Sequence, residues 1–399
     1  MTEITATIDQ TRQILRHQLH WLWRCPQLAT QVAPVMIWGA PGVGKSTVIR
    51  ELCAELGIGF IDVRLAQREP VDIRGLPVPH GDEVRWLLSS EWPRDPASRG
   101  IILFDELTAA DRTLQVAAYE FILDRRLGDL YQVPPGWMVC AAGNRSDDRA
   151  VAMTLSSALA NRFCHVELQP DLDSWIRWAN RCQLHPEVVA FLRFMPQRFF
   201  SMEGSVERGW PSPRSWERVA LTLQHGDGLD EAVLALMIHG LVGRGAATEF
   251  LAFRRWAAQL PDVPALLRGE IAFSVPERAD QRFALCAALV FHLLRAPEAD
   301  QLACLGQFLR IGLQLGSDFA VMAMVDLMQQ LETQDNTDRL AALFGHPLFQ
   351  PWSKLQGAVL AAQAPLADPG PQRQQPRGKR GSAGMPGPLS HAIEAAGAA

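Results

Sequence analysis

"GAPGVGKS", residues 39–46, stands directly behind the apolar run "VMIW" (35–38) and ahead of a stretch with helical periodicity. It has the form G-x-x-x-x-G-K-[ST], and each fixed residue has a physical reason. Gly42 and Gly44 let backbone N–H groups curl round phosphate oxygens, and the start of the following helix adds the positive end of its dipole. Lys45 is expected to reach the outer phosphates of a nucleotide, and the Ser46 hydroxyl to ligate Mg²⁺. Gly39, Ala40, Pro41, Gly42, Val43, Gly44, Lys45, Ser46 and Thr47 are therefore assigned together to nucleotide binding.

A site of this kind needs a second half, a buried strand ending in acid. "IILFDE" (101–106) supplies it. A carboxylate at the end of an apolar strand is costly unless a cation or a water network receives it. Asp105 is expected to hold Mg²⁺ and Glu106 to polarise an attacking water. A third apolar strand closes in "CAAGN" and leaves Asn144 at the same end, suited to orienting that water.

Around these motifs the chain alternates β-rich and helical runs. A helix over 8–24 precedes "VMIWG". Then come a helix over 44–56, "GFIDVRL", "GIILFDE", a helix over 111–124, "WMVCAAGN" and "FCHVEL". Such alternation means an α/β core, a parallel sheet covered by helices. After Pro170 the pattern becomes helix upon helix. The expected organisation is an N-terminal helical segment (1–33), a nucleotide-binding core (34–168), a helical lid (169–260), a further helical region (261–350) and a disordered tail (364–399) rich in Pro, Gly and Ala.

Composition narrows the function classes. The net charge of −5 over 399 residues lacks the basic face that a general nucleic-acid binder needs. Seven scattered cysteines without a C-x-x-C pair fit reduced thiols rather than a disulfide framework or a zinc site. The opening "MTEITATIDQTRQ" has no basic start followed by an apolar run, so no leader is expected. "FALCAALVFHLL" (283–294) is too short to span a bilayer. A cytoplasmic protein without membrane insertion is expected. His17 and His20, three apart on a helix, lack a third metal ligand. Trp175 and Trp178 share a helix face and are expected in a core or at a subunit contact, and His165 is expected as a satisfied buried histidine.

Taken together, the phosphate loop, "DE", Asn144 and "ALANRF" (158–163) resemble the AAA+ ATPases. That resemblance implies that Arg162 is an arginine finger directed at the nucleotide of a neighbouring subunit, with Arg145 and Arg149 the other arginines nearby. It also implies that Arg214, in "WPSPRSWERVA", is a sensor arginine reaching phosphate from the lid. "DIRG" (72–75), "DELTAAD" (105–111) and "AAGNR" (141–145) are similar to the MoxR branch, although MoxR relatives more often read "DEINRA" and "ATQNP". The resemblance implies a P-loop AAA+ core and an all-α lid. It implies a homo-oligomeric, hexameric ring that hydrolyses ATP with Mg²⁺ to remodel a protein client, commonly beside a von Willebrand factor A-type partner. The alternative is a DNA-directed AAA+ module, a loader or helicase-like ATPase. The base-contacting residues leave adenine and guanine undecided.

"VDIRGLPVPHGDEVRWLLSSEWP" (71–93) lies between the two halves of the site and reads as a β-hairpin turning at His80-Gly81-Asp82. Leu76 and Val78 are expected on one arm, and Val84 and Trp86 on the other. Pro77 and Pro79 remove two donors from one edge, so that edge cannot recruit another strand. The resembled branch carries an insert at this position that faces a central pore or a partner. A second hairpin is expected over 125–134.

Overall fold

The computed structural model describes residues 4–145, 155, 157–202, 208–226, 228–333 and 336–363. The stretch from 364, expected to be disordered, and Arg149 lie outside them. The chain forms two compact units. One runs to Ser174 and includes Ser212–Arg214; the other is Trp175–Pro211 together with the chain from Ser215 onward.

In chain order the first unit holds β1 (Thr5–Ala6), α1 (Ile8–Arg24), β2 (Val35–Trp38), α2 (Lys45–Leu56), β3 (Gly59–Arg64), α3 (Pro70–Arg74), β4 (Leu76–His80) and β5 (Glu83–Leu87). It continues with β6 (Gly100–Asp105), α4 (Arg112–Asp124), β7 (Arg126–Leu127), β8 (Tyr131–Gln132), β9 (Trp137–Gly143), α5 (Ser157–Ala160) and β10 (Cys164–Leu168). Six strands form one sheet in the order β1-β10-β2-β9-β6-β3, and every pairing in it is parallel. β9 is buried throughout and β6 as far as Phe104, which is why both read as unbroken apolar runs rather than alternating ones.

α2 and α4 each begin one residue later than the sequence suggests, because Gly44 and Asp111 stand outside them as caps. The Asp111 carboxylate accepts from Leu114 N at 2.9 Å, satisfying a donor at the start of α4. β1 has no counterpart in the sequence reading. It pairs with the end of β10, Thr5 opposite Glu167 and Ala6 opposite Leu168. Thr7 then starts α1 with a reciprocal cap: Gln10 N donates to Thr7 Oγ1 and Thr7 N to Gln10 Oε1.

β4 and β5 form the expected hairpin as a separate two-stranded sheet. The register sets Pro77 opposite Trp86 and Pro79 opposite Val84, while Leu76 meets Leu87, Val78 meets Arg85 and His80 meets Glu83. The two-residue Gly81-Asp82 turn fixes this parity. Val84 and Trp86 therefore share a face with the prolines, not with Leu76 and Val78. Val84 is 59% and Leu87 58% exposed, so the hairpin contributes little to the core. β7 and β8 make the second expected hairpin, directly ahead of β9.

The second unit is helical. It is built from the remainder of α6 (Leu172–Arg181), α7 (Pro186–Phe194), the remainder of α8 (Pro213–His225), α9 (Glu231–Ala257), α10 (Val263–Arg268), α11 (Ala279–Leu294), α12 (Gln301–Gln314), α13 (Ser317–Thr333), α14 (Thr337–Gly345) and α15 (Phe349–Gln363). One apolar core runs from Val263 to Trp352. Within this unit Arg193 on α7 and Asp326 on α13 form a two-pronged ion pair, at 2.5 and 2.6 Å, with both side chains mostly buried. Trp175 is buried, 6.2 Å from Trp178 and 5.6 Å from Phe199, as expected of core residues. His17 and His20 are exposed, and all seven cysteines are free thiols. No helix among the described residues is long and apolar enough to cross a membrane.

Candidate functional site

Behind β2 the chain turns through Gly39–Gly44 and enters α2 at Lys45. Gly42 and Gly44 hold φ of +83° and +102°, a region where a side chain is strained. A Cβ on Gly42 would also come within 3.1 Å of Ser212 Oγ. Gly44 caps α2 with no side-chain acceptor, so the first-turn N–H groups of the helix have no capping side chain and remain donors for an anion. Lys45 is buried, 9% exposed. Its ammonium donates to Gly39 O (2.6 Å), Ala40 O (3.1 Å) and Asn144 Oδ1 (2.8 Å). A cation at a helix N-terminus opposes the helix dipole, and the three oxygens compensate it. Ser46 Oγ donates to Asp105 Oδ2 at 2.5 Å.

Lys45, Ser46, Asp105 and Asn144 are thus brought into one cluster from α2, β6 and the end of β9. The backbone donors suit phosphate oxygens. The hydroxyl and carboxylate oxygens are the hard donors that Mg²⁺ takes, with the remaining positions left to water and phosphate. The residues fit a Mg²⁺–nucleoside triphosphate.

Glu106 is exposed and carries a φ of +57°, which costs a non-glycine residue about 1–3 kcal/mol. Its surroundings fix that conformation. Asp105 Oδ1 accepts from Glu106 N (2.9 Å), Leu107 N donates to Ala142 O (2.9 Å) and Ala109 N donates to Glu106 O (2.9 Å). Gln115 on α4 donates from Nε2 to Leu107 O and Ala110 O, both at 3.2 Å. The carboxylate therefore projects from a locked peptide.

Three contributors escaped the sequence reading. Thr108 Oγ1 accepts from Asn144 N (3.1 Å) and donates to Asn144 O (3.3 Å), tying the Glu106 loop to the Asn144 backbone. Gly143 makes this approach possible, since a Cβ there would lie 2.7 Å from the Thr108 methyl. Gln115 is the second contributor, and nothing in its helical context singles it out. Asp62 on β3 is the third. Burial, reinforced by the Asp105 charge, holds its carboxyl above the usual range, while Arg64 and Arg50 pull it down. An acid inside "GFIDVRL" was the available signal.

Arg162 is exposed and sits between α5 and β10. β10 begins level with the start of β2, Cys164 opposite Val35. In a parallel sheet this puts Arg162 at the end opposite the phosphate loop. Four residues of strand, about 13 Å at the usual rise, separate the two levels, more than an arginine side chain spans. Arg214 is the second residue of α8 and exposed, and its N–H donates to Gly42 O at 3.2 Å. Arg145 pairs with Glu167 at 3.7 Å. His165 is exposed rather than buried. Its Nδ1 accepts from Trp38 Nε1 (2.8 Å) and its Nε2 lies 2.7 Å from Ala160 O, so these partners assign the neutral Nε2–H form. It is satisfied, as expected, at a different depth.

Comparison with known proteins places these residues. Residues 35–167 match the family described as ATPase family associated with various cellular activities (AAA). Among solved structures, NtrX of Brucella abortus in complex with ADP is 17% identical, covering 82% of this chain and 68% of that one at a TM-score of 0.32. Two point mutants of Thermotoga maritima RuvB are each 15% identical. One match covers 71% of this chain and 84% of that one (TM-score 0.33), the other 73% and 84% (TM-score 0.34). It is the family match that bears on activity, because it spans the phosphate loop, Asp105, Glu106, Asn144 and Arg162. Residues 35–167 are thus similar to the AAA family of ATPases over the stretch that carries the nucleotide site, which supports an ATPase.

Proposed function

We propose that this chain works as a ring, a hexamer of the MoxR type, that hydrolyses ATP with Mg²⁺ to remodel or activate a protein partner. A von Willebrand factor A-type protein is its expected companion, and residues 169–260 act as its lid. The observation that carries the ring is the position of Arg162, which cannot reach the nucleotide of its own subunit and has an exposed side chain to offer a neighbour's. In this reading Gly39–Thr47 enclose the phosphates. Ser46 and Asp105 hold Mg²⁺, which supplies charge neutralisation and orients the phosphates. Glu106 takes a proton from the attacking water, Asn144 orients that water and Arg214 contacts phosphate. The Lys45–Asn144 contact sets these two side chains within reach of one substrate group.

Arg162→Ala is expected to leave nucleotide affinity unchanged and lower turnover by about 10³-fold, the scale of an arginine supplied in trans. Mixing it with a Glu106→Gln variant should restore part of the activity, because one of the two orders of a mixed interface combines an intact Glu106 with an intact Arg162. Mixed rings without any restoration would remove the trans assignment. A DNA-directed module is not favoured by the net charge of −5.

The hairpin β4–β5 is the element proposed to meet the client. Its proline edge resists strand addition while leaving apolar side chains outward, which suits repeated transient contact. Replacing residues 80–85 with a short Gly-Ser turn should keep basal ATPase within about twofold, as expected for a surface change remote from the core, and abolish partner activation. Full activation after that replacement would exclude the hairpin.

A further inference from the structure

The second unit contains a cavity of about 700 Å³ that the ATPase site does not use. Arg198, Arg208, Trp210, His239 and Arg244 line it, together with glycine backbone from the middle of α9. Among the described residues that line it there is no carboxylate. Arg198 is held from outside by Glu249, at 2.5 and 2.6 Å. Arg208 and Arg244 are exposed, and neither guanidinium has an ion-pair partner among the described residues. Like charges gathered round a concavity raise its potential and concentrate anions there.

The backbone of the wall is shaped for close approach. Gly243 adopts φ 76°, ψ 166°, a conformation essentially reserved for glycine, and breaks α9 into two arms. The second arm begins at Arg244, so its leading N–H groups add donors at the same wall. Gly209 crosses the kink so tightly that a Cβ on it would lie 2.1 Å from Gly240 O. That crossing fixes Arg208 and Trp210 beside Arg244. The Trp210 indole Nε1 is shielded from solvent and has no acceptor among the described residues.

We propose that this cavity is a second anion site, apart from the phosphate loop, that takes a small molecule bearing two or more linked phosphates. Guanidinium forks match phosphate oxygens in two-pronged geometry. Three of them, with a histidine and backbone donors, exceed what Glu249, the one carboxylate paired with them among the described residues, can answer. The volume is that of a small-molecule site, and the cations are gathered in a concavity rather than spread along the stripe that a nucleic-acid backbone requires.

The test is calorimetric titration of inorganic tripolyphosphate into the full chain. Wild type is expected to take up two equivalents. Lys45→Ala should keep one, Arg208→Ala/Arg244→Ala should keep the other, and the triple variant none. Arg208→Lys/Arg244→Lys should keep the cavity site but weaken it by about 100-fold, since two forks become point charges. Thermal melting of the double alanine variant should match wild type, both arginines being exposed. A single equivalent lost in Lys45→Ala would overturn the proposal and leave the phosphate-loop reading intact. A single equivalent kept in Lys45→Ala and lost in the double variant would support the cavity and overturn the phosphate-loop reading instead. Two equivalents persisting in the double alanine variant would also refute the cavity site.

Discussion

Glu106→Gln is expected to bind nucleotide as tightly as wild type and to lose turnover by about 10⁴-fold, the upper range for removing a positioned base. The amide keeps the shape and volume of the carboxylate but cannot take up a proton. The φ of +57° belongs to the Glu106 backbone, which Asp105, Ala142 and Ala109 hold in place, so the exchange should not disturb the loop. Equilibrium nucleotide binding and single-turnover hydrolysis, measured on the same preparation, separate the two effects. Lys45→Ala is the contrasting control, because it removes a donor to phosphate and should weaken binding itself. Turnover within tenfold of wild type in Glu106→Gln would assign the base elsewhere.

Arg193→Ala carries the largest expected effect on stability. The Arg193–Asp326 pair is almost dry, with side-chain exposures of 15% and 7%, and both carboxylate oxygens accept from the same fork. Removing the cation strands a buried carboxylate, at a cost of about 3–5 kcal/mol. Urea unfolding followed through the helical unit should show the loss as a lower midpoint with an unchanged slope. Arg193→Met/Asp326→Leu should recover most of it, because neither group then needs solvating. A double variant as unstable as Arg193→Ala would mean that packing, not charge, decides this contact.

The phosphate loop was legible because its chemistry leaves little choice of residue: glycine where φ is positive, lysine and serine where the helix starts. The strands ending at Asp105 and Asn144 were legible because strands buried on both faces read as apolar runs. Thr108 and Gln115 were not, since their work is to hold backbone oxygens and nitrogens belonging to other segments, and polar residues in a loop and a helix announce nothing of the kind. The hairpin was visible in its prolines and turn, but not the register between its arms, because alternation within each arm does not give it. His165 was misplaced in depth because an apolar setting in sequence does not say which sheet face a residue occupies. The kink at Gly243 has no sequence cue, since a helix can carry glycine at a modest cost.

β1 escaped for a simple reason: two residues carry no period. Yet its pairing has a consequence for how the chain is made. Thr5 and Ala6 are made before the other strands of the sheet, while Glu167 and Leu168, their partners, follow only after every other strand of the sheet has been synthesised. Until then the growing sheet has β2 as an uncovered border, and the nascent chain must keep Thr5 and Ala6 free of other attachments. Closing so long a loop is slow relative to local helix formation. The chain thus delays sealing its sheet until the segment bearing Arg162 has emerged, so that a truncated product stopping short of β10 leaves an open, adhesive edge for quality control to find.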